Sequence, residues 1–93
     1  MTHHIKLALP FCQPVMTGQK RFEIRYNDRD YRTGDYIAFI PADPETGRRT
    51  HHPIASRKYR ITYLISGWGL EDGYVVFGIE EVNNEQDNNR GGS

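Results

Sequence analysis

The sequence predicts a mainly β (α+β) domain, a small barrel of about five strands with one short helix after the first strand. Three observations predict it. Apolar and polar residues alternate with a period of two in most of the regular segments, which places one set of side chains on the buried face of a sheet. Clusters of Gly, Asp, Asn and Pro punctuate those segments. Only one stretch, ahead of Gly18, is compatible with a helix. Closure into a barrel is expected because it protects the strand edges of a short chain.

The elements follow in order. Ile5, Leu7 and Leu9 alternate with Lys6 and Ala8, giving a first strand. Pro10 to Gly18 reads as a brief helical turn stopped by the glycine, with Pro14 acceptable only near the helix start because proline lacks an N–H. Lys20 to Arg25 alternates again, with Phe22 and Ile24 on one face and Arg21, Glu23 and Arg25 on the other. A polar turn from Tyr26 to Gly34 leads into Asp35 to Ile40, apolar on both faces and so expected to be covered on both. Pro41 to Pro53 has no apolar period and marks a long excursion of the kind that often carries function. Tyr59, Ile61, Tyr63 and Ile65 form a fourth strand, Gly67 to Gly73 turns, and Tyr74 to Val82 forms the fifth.

A chain of 93 residues sustains one hydrophobic core and not two. Residues 1–82 are expected to form a single domain and 83–93, almost without hydrophobes, a disordered polar tail. No apolar run approaches the roughly 20 residues that cross a bilayer, and the first residues lack a signal-peptide core, so a cytoplasmic protein with no membrane partner is expected. The single cysteine, Cys12, has no disulfide partner and reads as a small buried filler. His3-His4 and His51-His52 are adjacent pairs whose side chains diverge on a strand, so no metal site is expected. Nor is a cofactor, since no phosphate-cradling glycine loop is present. The chain is expected to be a monomer.

Net charge is zero, yet ten Lys or Arg stand against six carboxylates between Lys20 and Arg60, an excess of four. That excess permits either a solvated mixed surface or a patch for an acidic partner.

Gly18-Gln19-Lys20-Arg21-Phe22-Glu23-Ile24-Arg25 resembles the Gly-x-Lys-x-x-Glu-x-Arg pattern of ASCH domains, relatives of the PUA RNA-binding fold. The resemblance continues through Asn27 to Asp35, Ile61 to Ile65 and Gly69 to Val76, covering about residues 4 to 82, as in a small subfamily common in phages and their bacterial hosts. It implies a PUA-like β-barrel whose cleft, beside the motif strand and the helix, accepts RNA or a modified nucleoside. Some ASCH proteins resemble acetylcytidine amidohydrolases that use a lysine and a threonine three residues later. Here Lys20 matches the lysine and Glu23 stands at the threonine position.

The candidate ligand residues are Lys20, Arg21, Glu23, Arg25, Arg29, Arg32 and Trp68, and the candidate catalytic residues for an amidohydrolase are Lys20, Glu23 and Glu71. On one strand face, side chains two residues apart are roughly 7 Å apart and long ones can meet, so Arg21, Glu23 and Arg25 can form an ion-pair ladder. Glu23 would then accept from the amino group of a base and orient Arg25 toward a phosphate or a base edge. Alternatively Glu23 and Arg25 simply satisfy one another at the barrel mouth. Arg29 and Arg32, with Arg48, Arg49, Arg57, Lys58 and Arg60, can follow a phosphate backbone, while Trp68 and Tyr31, set among turn residues, offer faces on which bases stack. A protein partner held by the 41–53 loop is a further reading.

Overall fold

The computed structural model describes residues 1–82. Its elements are β1 (Thr2–Ala8), α1 (Leu9–Met16), β2 (Phe22–Tyr26), β3 (Tyr36–Ala42), β4 (Tyr59–Ser66) and β5 (Tyr74–Glu81), with a short 3-10 helix at Pro53–Ser56. All five strands join one sheet in the order β1-β3-β4-β5-β2. β1 runs parallel to β3 and every other pair is antiparallel. The mainly β class with one short α-helix is therefore as the sequence predicts. Closure is not: β1 and β2 are the two edges of the sheet, and no ladder joins them. The expectation for residues 83–93 lies outside the described residues.

The period of two sorts each strand. His3, Ile5 and Leu7 of β1, Ile37 and Phe39 of β3, Tyr59 and Ile61 of β4 and Val75, Phe77 and Ile79 of β5 all turn inward. Cys12 and Val15 from α1 and Ile54 from the 3-10 helix complete the core. Cys12 is the buried filler expected, with no accessible surface and a thiol whose pKa is pushed up by burial and then by the charge of Glu23. Tyr31 also belongs to the core. It packs edge-on against His3 at 4.8 Å and is 4% exposed, so it offers no face to a base. The polar turn that contains it folds back because Asn27 Oδ1 accepts from the Tyr31 amide at 2.8 Å.

Pro14 lies inside α1, not near its start. The only ladder bond its missing N–H removes is the one to the Pro10 carbonyl, and Pro10 is exposed, so water can take that acceptor. Gly18, at φ +83°, ends the helix in the left-handed conformation, its amide donating to Val15 at 3.1 Å. The chain then reverses, and the Lys20 amide bonds the Pro14 carbonyl at 2.9 Å. This tight reversal sets β2 antiparallel to β1 across the gap in the sheet.

Candidate functional site

The gap between β1 and β2 has a hydrogen-bonding character fixed by ladder parity. Ile79 donates to the Arg21 carbonyl and Asn27 to the Gly73 carbonyl, so Glu23 and Arg25, of the same parity, bond β5. The main-chain groups of Phe22, Ile24 and Tyr26 consequently face the gap. On β1, Tyr36 donates to the Met1 carbonyl, which assigns residues 3, 5 and 7 to β3 and turns the backbone of His4, Lys6 and Ala8 to the gap. Two free strand edges thus confront one another.

One side chain bridges them. Arg25 Nη2 donates across the gap to the Lys6 carbonyl at 2.8 Å, while Lys20 Nζ donates to the Phe22 carbonyl on its own side at 2.8 Å. Both cations converge on Glu23, an inward position that parity would give to an apolar residue. Arg25 Nε and Nη2 both reach Glu23 Oε1, at 2.9 and 2.7 Å, while Lys20 pairs with Oε2. The Glu23 side chain is 4% exposed, those of Lys20 and Arg25 18% and 24%. A buried carboxylate is thereby paired, as burial demands, yet the cations keep access to solvent.

A cleft of about 580 Å³ opens at this triad, lined by Lys6, Phe11, Phe22 and Ile24 among others. Phe11 and Phe22 are 47% and 46% exposed, and their ring centres lie 5.2 and 4.8 Å from Lys20 Nζ, within cation–π range. A second hollow, about 530 Å³, continues along the gap past Arg25, bordered by His4, Asp28, Arg29 and Arg49. Across both hollows Lys6, Lys20, Arg25, Arg29 and Arg49 face Glu23 and Asp28, an excess of three positive charges.

The residues expected from sequence divide. Lys20, Glu23 and Arg25 meet, and Arg29 borders the adjoining hollow. Arg21 precedes β2 and leaves the expected ladder, its Nε bonding the Gly18 carbonyl at 2.8 Å; Lys20 takes its place beside Glu23. Arg32 is exposed and paired with Asp30 at 2.9 Å. Trp68 and Glu71 lie in the β4–β5 loop, Glu71 lining a separate hollow with Tyr26 and Tyr74, so neither joins Lys20. Lys6, Phe11 and Phe22 are members of the site that sequence reasoning missed. Only Lys6 carried a signal, lying between two inward residues of β1, Ile5 and Leu7, so that its outward-facing side chain could be foreseen but not its carbonyl's role.

The pattern of a family described as "Domain of unknown function (DUF3850)" matches residues 2–79. The chain belongs to the DUF3850 family. The match spans the motif strand and both edges of the gap, so the triad of this DUF3850 domain lies within it. The fold is similar to that in the crystal structure of the hypothetical protein PH0355, at a TM-score of 0.59 and 16% identity, covering 88% of this chain and 100% of that one. No curated protein matches the DUF3850 chain. Among the described residues no helix is long and apolar enough to cross a membrane.

Proposed function

We propose that this domain is an ASCH/PUA-like module that binds RNA or a modified nucleoside along the gap between β1 and β2. The observation that carries the reading is the run of cations along that gap, from Lys20 through Arg25 to Arg29 and Arg49, in a protein whose net charge is zero. Concentrated positive charge in a groove attracts a polyanion even where the whole molecule is neutral. Phe11 and Phe22 supply exposed rings beside it, the pairing of cation and stacking surface that suits single-stranded nucleic acid. Glu23 uses its oxygens on two cations, and a carboxylate has lone pairs left for the amino group of a base.

The test is a titration with a short single-stranded RNA containing acetylcytidine, followed by backbone amide shifts and by the acetyl methyl signal. Shifts clustered on Lys6, Phe11 and Lys20 to Arg29, with the acetyl group intact, support a binding module. Affinity should fall with salt, and Arg25→Ala should make the log–log slope of that fall shallower by about 0.7 for each phosphate the guanidinium had neutralised. Salt-independent binding, or no shifts in the gap, refutes the proposal. Appearance of free acetate assigns hydrolysis instead.

A further inference from the structure

The two hollows along the gap have different linings. Leu7, Ala8, Phe11, Phe22 and Ile24 make the first largely apolar around the triad. The second is bordered by Lys6, Arg25, Arg29 and Arg49, with His4 beside them and Asp28 as its one carboxylate. Arg25 belongs to both and marks the boundary between them.

Three separate segments bring donors to the second hollow. Arg25 comes from β2. Its Nε and Nη2 are committed to Glu23 Oε1, and Nη2 also bonds the Lys6 carbonyl, so one edge of the guanidinium is held fast while Nη1 keeps both its hydrogens free among the described residues. Arg29 comes from the 26–34 turn. Arg49 comes from the 41–53 loop, which is pinned by an antiparallel bridge from Ala42 to Arg49 and by Lys6 Nζ donating to the Gly47 carbonyl at 2.7 Å. Neither Arg29 nor Arg49 has a carboxylate partner among the described residues, whereas Arg32, Arg57 and Arg60 lie 2.9, 2.8 and 3.8 Å from one.

Tyr31 is the fourth donor. Its ring is buried between His3 and Phe77, but its hydroxyl has no hydrogen-bond partner among the described residues and, unlike that of Tyr59, is not sealed off. Because Tyr31 borders the second hollow, the hydroxyl is the part it presents there. Burial pushes its pKa up, against the pull of Arg25 and Arg29, so at neutral pH it remains a protonated donor.

Donors that converge from three directions suit a tetrahedral anion, whose oxygens diverge, better than a planar carboxylate. We propose that the second hollow is a phosphate subsite, in which Arg25 Nη1, Arg29, Arg49 and the Tyr31 hydroxyl donate to the oxygens of the phosphate next to a base held in the first hollow. This rests on the reading of the gap as a nucleic-acid site and narrows it. The ligand is a nucleotide, free or within a strand, and a bare nucleoside occupies only half of the site.

Two-dimensional NMR titrations of the full chain with inorganic phosphate, with acetylcytidine and with the acetylcytidine RNA provide the test. Phosphate should shift the amides of Arg29, Tyr31 and Arg49, the nucleoside those of Phe11 and Phe22, and the RNA both sets. Tyr31→Phe keeps the buried ring, so circular dichroism should be unchanged while affinity for phosphate and RNA falls about threefold, and Arg49→Ala, an exposed change, should lower both about fivefold. RNA that shifts only the first hollow, or that binds both variants as tightly as the starting protein, overturns the inference and leaves the binding module standing. Phosphate shifts spread equally over Arg32, Arg57 and Arg60 also overturn it. Phosphate shifts confined to the second hollow, with none from RNA or nucleoside, uphold the subsite and remove nucleic acid as its occupant. No shift from any of the three overturns both readings.

Discussion

Removing the Glu23 side chain separates two roles that a buried ion triad can play. Glu23→Ala leaves Lys20 and Arg25 facing each other in a partly dry cleft without their shared counter-ion. Breaking a fully buried pair from one side costs about 3–5 kcal/mol. Here both cations retain a fifth or so of their surface and can rehydrate, so the expected loss is about 2–3 kcal/mol. A domain of this size has about 4–12 kcal/mol of stability in all, so the loss is readily measured as a lower urea midpoint with an unchanged slope. The companion variant replaces the whole triad, Lys20→Met with Glu23→Leu and Arg25→Leu. Apolar replacement of an entire buried ion set is often neutral or stabilising, and outside the triad only the Arg25 bond to the Lys6 carbonyl and the Lys20 bond to the Phe22 carbonyl are forfeited, so stability should return to within about 1–2 kcal/mol of the starting protein, above that of Glu23→Ala. RNA binding should then be absent in a well-folded domain. If the triple variant is as unstable as Glu23→Ala, the triad serves the fold and the argument that it is kept for a ligand fails.

Three further outcomes are expected. The hydroxyl of Tyr59 is buried with no hydrogen-bond partner among the described residues, and burial pushes its pKa up to about 12, so Tyr59→Phe should raise stability by up to about 1 kcal/mol in thermal melts; a loss would reveal a partner. For Asp35, burial alone would raise the pKa, but the hydrogen bond to His3 at 2.7 Å, the Arg32 amide and the N-terminal charge together lower it. Its contribution is therefore full above the ordinary carboxylate value, about 4, and is lost as pH falls through the lower folded value. Asp35→Asn should cost about 1–3 kcal/mol at neutral pH and leave a flatter acid limb in pH-dependent urea melts. Gly73 has φ +85°, and a Cβ there would stand 2.6 Å from Tyr26 Cε1, so Gly73→Ala should destabilise by about 1–3 kcal/mol in the same melts, with only the steric part recovered in combination with Tyr26→Ala.

The strands were legible because alternation is local: Ile5, Leu7, Tyr59, Ile61 and Phe77 disclose their faces without knowledge of their partners. The failure to close was not legible, since it depends on β1 pairing in parallel with β3, between segments some 34 residues apart in sequence. The motif placed Glu23 and Arg25 together correctly. It erred on Arg21, because strand β2 begins two residues later than the alternation suggested, at Phe22. Tyr31 was misjudged because its loop looks polar in sequence while its ring fills space between His3 and Phe77. The outward turn of Phe22 and Ile24 was hidden for a related reason. Both follow the ordinary period, and nothing local says that the charged side of this strand is the one that turns inward.

The open edge between β1 and β2 also bears on motion. Every other neighbouring pair of strands in the sheet is sewn by main-chain bonds that must break before the strands part. Across this one, the links are a guanidinium on a carbonyl and the packing of side chains, and the chain connecting the two edges is a two-turn helix with a proline in it. The domain can therefore gape along one line while its ladders stay intact, like a purse with a single clasp. Arg25 is the clasp, and its loss would leave that line, among the described residues, without a hydrogen bond from β2 to β1.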